Sequence, residues 1–313
     1  MKKVFNIIFM GTPDYAVPSL VALHNSVHQL ALVVTQPDRP KGRGRKILPP
    51  PVKKTAVDFG YDIIQPGTVK TKEFIDLLTR YTPDFFVVVA YGHILPKNIL
   101  DIPKYGSINV HASLLPKYRG PAPIQWAVIN GEKETGITTI LMDKGMDTGD
   151  ILLSAKETIQ PDDTAACLHD RLATLGAKVL IETLDRFSQD DMRPVVQDHS
   201  QATRAPILKK DDGRIFWENS AEKIVAFIHG MTPWPGAFTF YKNKRLKIFN
   251  AGLIPSDAVA PPGTVVKGFA DELRVATAKG LLLIHEIQGE SGKRMTIKDF
   301  LRGHEIPPGT VLG

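Results

Sequence analysis

The run Asp84-Phe-Phe-Val-Val-Val-Ala90 sets the strongest constraint on how this chain can fold. It is consecutively apolar and rich in β-branched side chains, so it reads as a strand. Successive side chains of a strand point to opposite faces, so an unbroken apolar run must be covered on both sides. Strands of this kind lie inside parallel sheets with helices on both faces. The preceding sequence supplies the partners. Strands are expected at Val4–Met10, Leu30–Thr35 and Tyr61–Ile64, and helices at Ala16–Leu23, Val52–Phe59 and Glu73–Arg80. Alternation of this kind predicts βαβ units and a parallel sheet.

The expected class is therefore α/β, with a Rossmann-like parallel-sheet N-terminal domain. Further strands are expected at Ile108–His111, Gly136–Met142 and Ile151–Ser154, with a helix at Ile124–Asn130. Ala165, Leu168, Leu172, Leu175, Val179, Leu180 and Leu184 have helical spacing and predict one long amphipathic helix from Thr164 to Phe187. Gln189–Pro206 then loses apolar periodicity and reads as a linker. Beyond it come a helix, Ala221–His229, and short strands at Ala237–Tyr241, Leu246–Asn250, Gly263–Val266, Glu272–Ala276 and Leu281–Gln288. Short strands at close spacing indicate a smaller C-terminal β-barrel (OB-like) domain. The expected domains are residues 1–189, a linker at 190–208, and 209–313.

Composition narrows the class of partner. The 313 residues carry a net charge of +6. Arg39, Lys41, Arg43, Arg45, Lys46, Lys53 and Lys54, set against Asp38, match that whole excess within one short segment. Such local charge points to an anionic partner. Residues 36–46 alternate cations with glycines and prolines, which suits a loop whose backbone can approach a phosphate. Lys242, Lys244, Arg245 and Lys247 form a second basic cluster, in a hairpin of the barrel; a basic barrel face suits oligonucleotides, and a solvated hairpin fits the same charges. One cysteine, Cys167, excludes an internal disulfide framework and a multi-cysteine zinc site, and is expected as a buried helix residue. His24 and His28 have metal-ligand spacing but lack a third ligand nearby, so no metal is expected. The first apolar run is broken by Asn6 and followed by Gly11-Thr-Pro rather than a small-residue cleavage site, and no run approaches membrane-spanning length. The expected setting is the cytoplasm.

Candidate chemistry gathers at strand ends. Asn109 and His111 are two apart, so they share one face of their strand and emerge at its carboxyl end, where ligands bind in open α/β sheets. An amide can donate to a developing oxyanion, and an imidazole can move protons near neutrality. Asn-x-His alone is more simply read as a strand-end Asn capping a turn and a His satisfied by a backbone carbonyl. His93, in the loop after Ala90, is expected to be structural. The turn 143–150 offers the carboxylates Asp143, Asp147 and Asp150. Gly11-Thr-Pro occupies the first strand–helix turn but lacks the glycine fingerprint of a dinucleotide site.

Gly11-Thr-Pro-Asp, Thr35-Gln-Pro-Asp-Arg-Pro, Asn109-Val-His, Ser113-Leu-Leu-Pro-Lys-Tyr-Arg-Gly-Pro-Ala-Pro123, Met142-Asp-Lys-Gly-Met-Asp-Thr-Gly-Asp150 and Trp234-Pro235 together resemble the motifs of the 10-formyltetrahydrofolate-dependent formyltransferases. The likeness runs from residue 4 to residue 313. The glycine-interleaved basic loop and the appended barrel narrow it to the branch acting on tRNA. The resemblance implies transfer of a formyl group from 10-formyltetrahydrofolate to the amino group of methionyl-initiator tRNA. It implies Asn109, His111 and Asp147 as catalytic residues, and Ser113, Leu114, Leu115 and Pro116 as lining the folate site. It implies Arg43 as the main tRNA contact, flanked by Arg39, Arg45 and Lys46, with the barrel as a tRNA-binding domain. A monomer without bound metal is expected. Two rivals remain open at this point: a formyltransferase acting on a small nucleotide-linked amine, and a non-catalytic RNA-binding protein.

Overall fold

A computed structural model describes residues 3–41, 46–256, 260–290 and 292–313. In chain order the elements are β1 (Asn6–Gly11), α1 (Val17–His24), β2 (Gln29–Val34), β3 (Arg39–Lys41), β4 (Lys46–Leu48), α2 (Pro51–Asp58), β5 (Ile63–Ile64), α3 (Lys72–Arg80), β6 (Phe85–Val89), α4 (Lys97–Leu100), β7 (Ser107–His111) and α5 (Pro123–Ile129). There follow β8 (Glu134–Leu141), β9 (Asp150–Thr158), α6 (Ala165–Ser188), α7 (Ala221–Met231), β10 (Ala237–Tyr241), β11 (Lys244–Ile254), β12 (Val265–Val266), β13 (Leu273–Ala276), β14 (Leu281–Gln288), β15 (Met295–Thr296) and α8 (Ile297–Leu301). They group into two compact units. One comprises Met1–Gly120, Glu134–Thr158 and His169–Ala205; the other comprises Pro121–Lys133, Ile159–Leu168 and Pro206–Gly313.

The first unit is built on a seven-stranded sheet in the order β5-β2-β1-β6-β7-β8-β9. The apolar run forms β6, central as expected, with all five residues buried. Removing each such side chain from water contributes about 1.5–3 kcal/mol. β5, β2, β1, β6 and β7 are parallel. β8 and β9 extend the sheet in antiparallel fashion. The β8–β9 connection is a loop without a helix, too short for the crossover that a parallel pair requires. Strand order reverses at β1, where β2 lies on one side and β6 on the other. The crevice at the carboxyl ends of such strands is the usual ligand site.

Helices cover the sheet for reasons visible in their sequences. The Thr71 hydroxyl caps α3 by accepting from the Phe74 amide at 3.3 Å, and such a cap is worth about 1 kcal/mol. In α6, Gly176 faces β7: a Cβ built there would lie 3.0 Å from Val110 Cγ1, so the absent side chain lets the helix back the site strand closely. Cys167 lies on α6 as expected but is exposed, not buried, because it falls off the helix's apolar stripe.

The second unit carries a six-stranded antiparallel sheet in the order β10-β11-β14-β13-β12, with β15 beside β14. Its core includes Trp217, Ile224, Ile228, Ile248, Leu282 and Ile284. Lys242 and Asn243 join β10 to β11 with φ of +49° and +61°, the left-handed pair of a tight hairpin turn. The Arg245 guanidinium lies 4.0 Å from the Phe238 ring centre, and that of Arg214 lies 6.0 Å from Phe240. Among the described residues no helix is long and apolar enough to cross a membrane.

Candidate active site

β7 lies between β6 and β8, with Asn109 opposite Val88 on one side and Ile140 on the other. Backbone pairing on both edges fixes the strand, so the Asn109 and His111 side chains project from a rigid support. Both reach Asp147. The Asn109 amide donates through Nδ2 to Asp147 Oδ1 at 3.3 Å, and His111 Nδ1 lies 3.6 Å from the same oxygen. The second carboxylate oxygen, Oδ2, accepts the Gly120 amide at 2.8 Å. His111 Nε2 donates to the Tyr118 carbonyl at 3.0 Å. Both ring nitrogens thus face oxygens, the Nε2 contact at hydrogen-bond distance and the Nδ1 contact longer.

The three residues expected to act together are therefore one cluster, assembled from β7, the loop behind it and the β8–β9 turn. His111 is buried, and the Asp147 side chain is 15% exposed. Asp147 adopts φ +55°, a left-handed conformation that Asp tolerates better than most residues. The other carboxylates of the turn do different work. Asp143 Oδ1 accepts from the Gly145 amide at 3.0 Å and the Thr148 hydroxyl at 2.6 Å, closing its own loop. Asp150 begins β9.

Gly120 is required where it sits. Its φ is +123°, and a Cβ there would lie 2.6 Å from the Ala205 carbonyl oxygen. Only glycine lets this amide meet Asp147 while the chain passes residue 205.

The segment expected to line the folate site turns directly after His111. Thr138 on β8 holds it, donating through Oγ1 to the Ser113 carbonyl at 2.7 Å and accepting from the Leu115 amide at 3.1 Å. Ser113 is fully buried, and its hydroxyl donates to the Lys117 carbonyl at 2.6 Å. Leu115 is buried, whereas Leu114 and Pro116 are half-buried. At the carboxyl end of β6, the strand next to β7, Tyr91 and His93 pack with ring centres 5.3 Å apart. Tyr91 Oη and His93 Nε2 are buried and have no hydrogen-bond partner among the described residues. Burial pushes the Tyr91 hydroxyl pKa up to about 12.

The basic loop rises from an anchored base. Thr12 Oγ1 and Gln36 Nε2 both donate to the Tyr91 carbonyl, at 2.9 and 3.1 Å. Gln65 Nε2 donates to the Gln36 carbonyl at 2.8 Å and to Asp38 Oδ1 at 2.7 Å, and Lys53 Nζ pairs with Asp38 at 2.8 Å. Gln65 and Lys53 hold the Asp38 carboxyl below the usual carboxylate range. From there β3 and β4 pair antiparallel, and Arg39 is exposed. Arg43 and Arg45 lie outside the described residues, as does the side chain of Lys46. Among the described residues no three His, Cys, Asp or Glu side chains group so as to hold a metal ion.

One participant gave no sequence signal. Gln197, in the stretch read as a linker, is 3% exposed. It donates to the carbonyls of Asp147 and Gly149 and accepts from Arg119. Its partners lie 50, 48 and 78 residues away, beyond the reach of any periodicity.

Comparison with known proteins agrees with this geometry. The family described as "Formyl transferase" matches residues 2–184, and "Formyl transferase, C-terminal domain" matches residues 207–305. The methionyl-tRNA formyltransferase of Desulfotalea psychrophila is 51% identical, over 99% of this chain and 96% of its own. That of Caldanaerobacter subterraneus subsp. tengcongensis is also 51% identical, over 98% and 99%. Among solved structures, the sugar 3N-formyl transferase WlaRD, with dTDP and 5-N-formyl-THF, has a TM-score of 0.67 at 20% identity, covering 93% of this chain and all of that one. HypX from Aquifex aeolicus, in complex with tetrahydrofolic acid, has a TM-score of 0.63 at 17% identity; this chain spans about half its length, 51%, while 98% of this chain is covered. At such identities the two structures speak for the fold alone. With both family matches in place and relatives that share half its residues from end to end, the chain belongs to the formyl transferase family, among the methionyl-tRNA formyltransferases.

Proposed function

We propose that this protein transfers the formyl group of 10-formyltetrahydrofolate to the amino group of methionyl-initiator tRNA, as a monomer in the cytoplasm. The observation that carries the reading is the single Asp147 carboxylate bridging Asn109, His111 and the Gly120 amide. The amine nitrogen forms its bond to the formyl carbon and the carbonyl oxygen takes up negative charge; the oxyanion then collapses to the new formyl carbonyl as the bond to the folate nitrogen breaks, and that nitrogen leaves with the proton given up by the amine. The formyl carbon is already activated on an electron-poor nitrogen, so the chain needs neither a covalent nucleophile nor a metal. Asn109 Nδ2 has a second hydrogen to offer the oxyanion. Asp147 orients the amine and takes up its proton, and His111 Nδ1 lies 3.6 Å from the same carboxylate oxygen, within reach to share it.

The folate reading rests on the turn Ser113–Pro116 and on its neighbours. Leu114 and Pro116 supply apolar surface at the carboxyl end of β7. Tyr91 Oη and His93 Nε2, which have no hydrogen-bond partner among the described residues, supply donors or acceptors at the carboxyl end of the adjacent strand β6. A pocket with apolar walls and a few convergent polar groups suits a heteroaromatic ring, and a buried polar atom without a partner calls for a ligand or water.

For the tRNA, residues 1–189 provide the catalytic domain. Arg43, with Arg39, Arg45 and Lys46, engages acceptor-stem phosphates, and residues 209–313 form a second binding surface. The stacked cations Arg245 and Arg214 on Phe238 and Phe240 support the latter, since cation–aromatic surfaces suit nucleic acid.

A transfer assay tests the whole reading. Purified protein with 10-formyltetrahydrofolate is expected to formylate methionyl-initiator tRNA and to leave methionyl-elongator tRNA unmodified. Formylation of a nucleotide-linked amine in place of either tRNA would favour the small-amine rival. Arg43→Ala is expected to raise KM for tRNA and to flatten the dependence of log affinity on log salt by about one. Folate affinity should stay unchanged; equal loss toward both substrates would make the loop structural.

A further inference from the structure

We infer that Gln197 is a positioning residue for formyl transfer, clamping the backbone on both sides of the Asp147 carboxylate so that it faces Asn109 and His111. The inference rests on the reading of Asp147 as the carboxylate that meets the amine.

Gln197 uses its whole hydrogen-bonding capacity at the site. Its two Nε2 hydrogens go to the Asp147 carbonyl at 2.9 Å and the Gly149 carbonyl at 2.7 Å. Its Oε1 accepts from Arg119 Nε at 3.1 Å and Nη2 at 2.6 Å. An amide offers two donors and two lone pairs, and all four are spent here. Glutamate would keep the acceptor and lose both donors. Asparagine would fall one methylene short.

The two ends of this clamp bear on the same carboxylate. One end grips the peptide of Asp147, whose φ of +55° must be held by its surroundings. The other grips Arg119, the residue before Gly120, whose amide binds Asp147 Oδ2. The same stretch of chain also fixes the segment behind His111. Thr203 Oγ1 accepts from the Tyr118 amide at 2.8 Å, and the Thr203 carbonyl accepts from the Arg119 amide at 2.9 Å. The Tyr118 carbonyl is in turn the acceptor for His111 Nε2. Residues 197–203 thus set the orientation of two of the three proposed catalytic side chains without themselves touching the reacting atoms.

The test compares kcat and KM for Gln197→Leu and Gln197→Glu, each alone and combined with Asp147→Asn, in the full chain. A misplaced catalytic group can cost up to about a hundredfold, so each single variant is expected to lower kcat by roughly ten- to hundredfold. KM for both substrates should move by less than about threefold, since neither substrate is held by Gln197. In the Asp147→Asn background the same change should cost less than about threefold, because the group being positioned is already gone. Equal fold losses in the two backgrounds would overturn the inference and leave Gln197 a structural residue. So would normal kcat in Gln197→Glu, because that variant lacks the donors. If Gln197→Leu does not accumulate as folded protein, Gln197→Glu keeps the Arg119 contact and carries the comparison. Failure of the underlying reading has a separate signature, a normal rate in Asp147→Asn alone.

Discussion

Asp147→Asn is expected to lower kcat by about two to four orders of magnitude, the range that a positioned acid–base group contributes. The substitution is a clean probe for three reasons. Asn has nearly the same shape. It tolerates the left-handed backbone that residue 147 adopts at φ +55°. It also leaves the carbonyl that Gln197 holds in place. What it removes is charge and one acceptor. Asp147 now accepts on both oxygens, from Asn109 on Oδ1 and from Gly120 on Oδ2. A carboxamide has one oxygen, so its NH2 must face either the Asn109 amide with His111 or the Gly120 N–H, donor against donor. The amine's proton then has no carboxylate to receive it, and His111 loses its anionic neighbour. Folate affinity should be unaffected, because the proposed folate lining lies in the turn 113–116. Single-turnover formylation at saturating substrates reads the chemical step directly, and a rate within about threefold of the parent would remove Asp147 from acid–base duty.

How much of this could be read before the fold was known varied with the range of the interaction. β6 was legible because five buried residues in a row admit few placements. Asn109 and His111 were legible as a pair because strand periodicity puts alternate residues on one face. That Asp147 rather than Asp143 meets them was not legible from periodicity; it came from the resemblance, and the geometry supplies a reason. Asp143 is consumed by its own turn, through Gly145 and Thr148. The antiparallel β8–β9 edge was hidden because an apolar run signals a strand without signalling its direction. Gln197 was hidden for a deeper reason. A polar, proline-bearing stretch carries no apolar pattern, and its meaning lies in hydrogen bonds to residues far away in sequence. Ile151 pairs with Val195 and Arg119 with Arg204 across the same stretch, so a segment that looks like a connection serves as a brace.

Asn109→Ala tests the other half of the chemistry, the stabilisation of charge on the formyl oxygen. Loss of one preorganised oxyanion donor costs on the order of 3 kcal/mol, so kcat should fall about a hundredfold or more. The change should act on the transition state rather than on folding. β7 is held by backbone bonds to β6 and β8, which alanine retains, and Asn109 is half-buried, so no large cavity opens. One Nδ2 hydrogen serves Asp147 in the resting site; the other is the donor at issue. The two roles can be separated. If Asn109 acted only by steadying Asp147, its loss would vanish in an Asp147→Asn background, as expected for Gln197. If it donates to the oxyanion, it should still cost at least tenfold there, because that interaction develops at a different atom of the reacting group. A near-normal rate for Asn109→Ala would leave His111 and backbone amides as the remaining candidates for the oxyanion. A loss that persists beside Asp147→Asn would assign the two side chains to opposite ends of the same reaction, one at the oxygen that gains charge and one at the nitrogen that loses its proton.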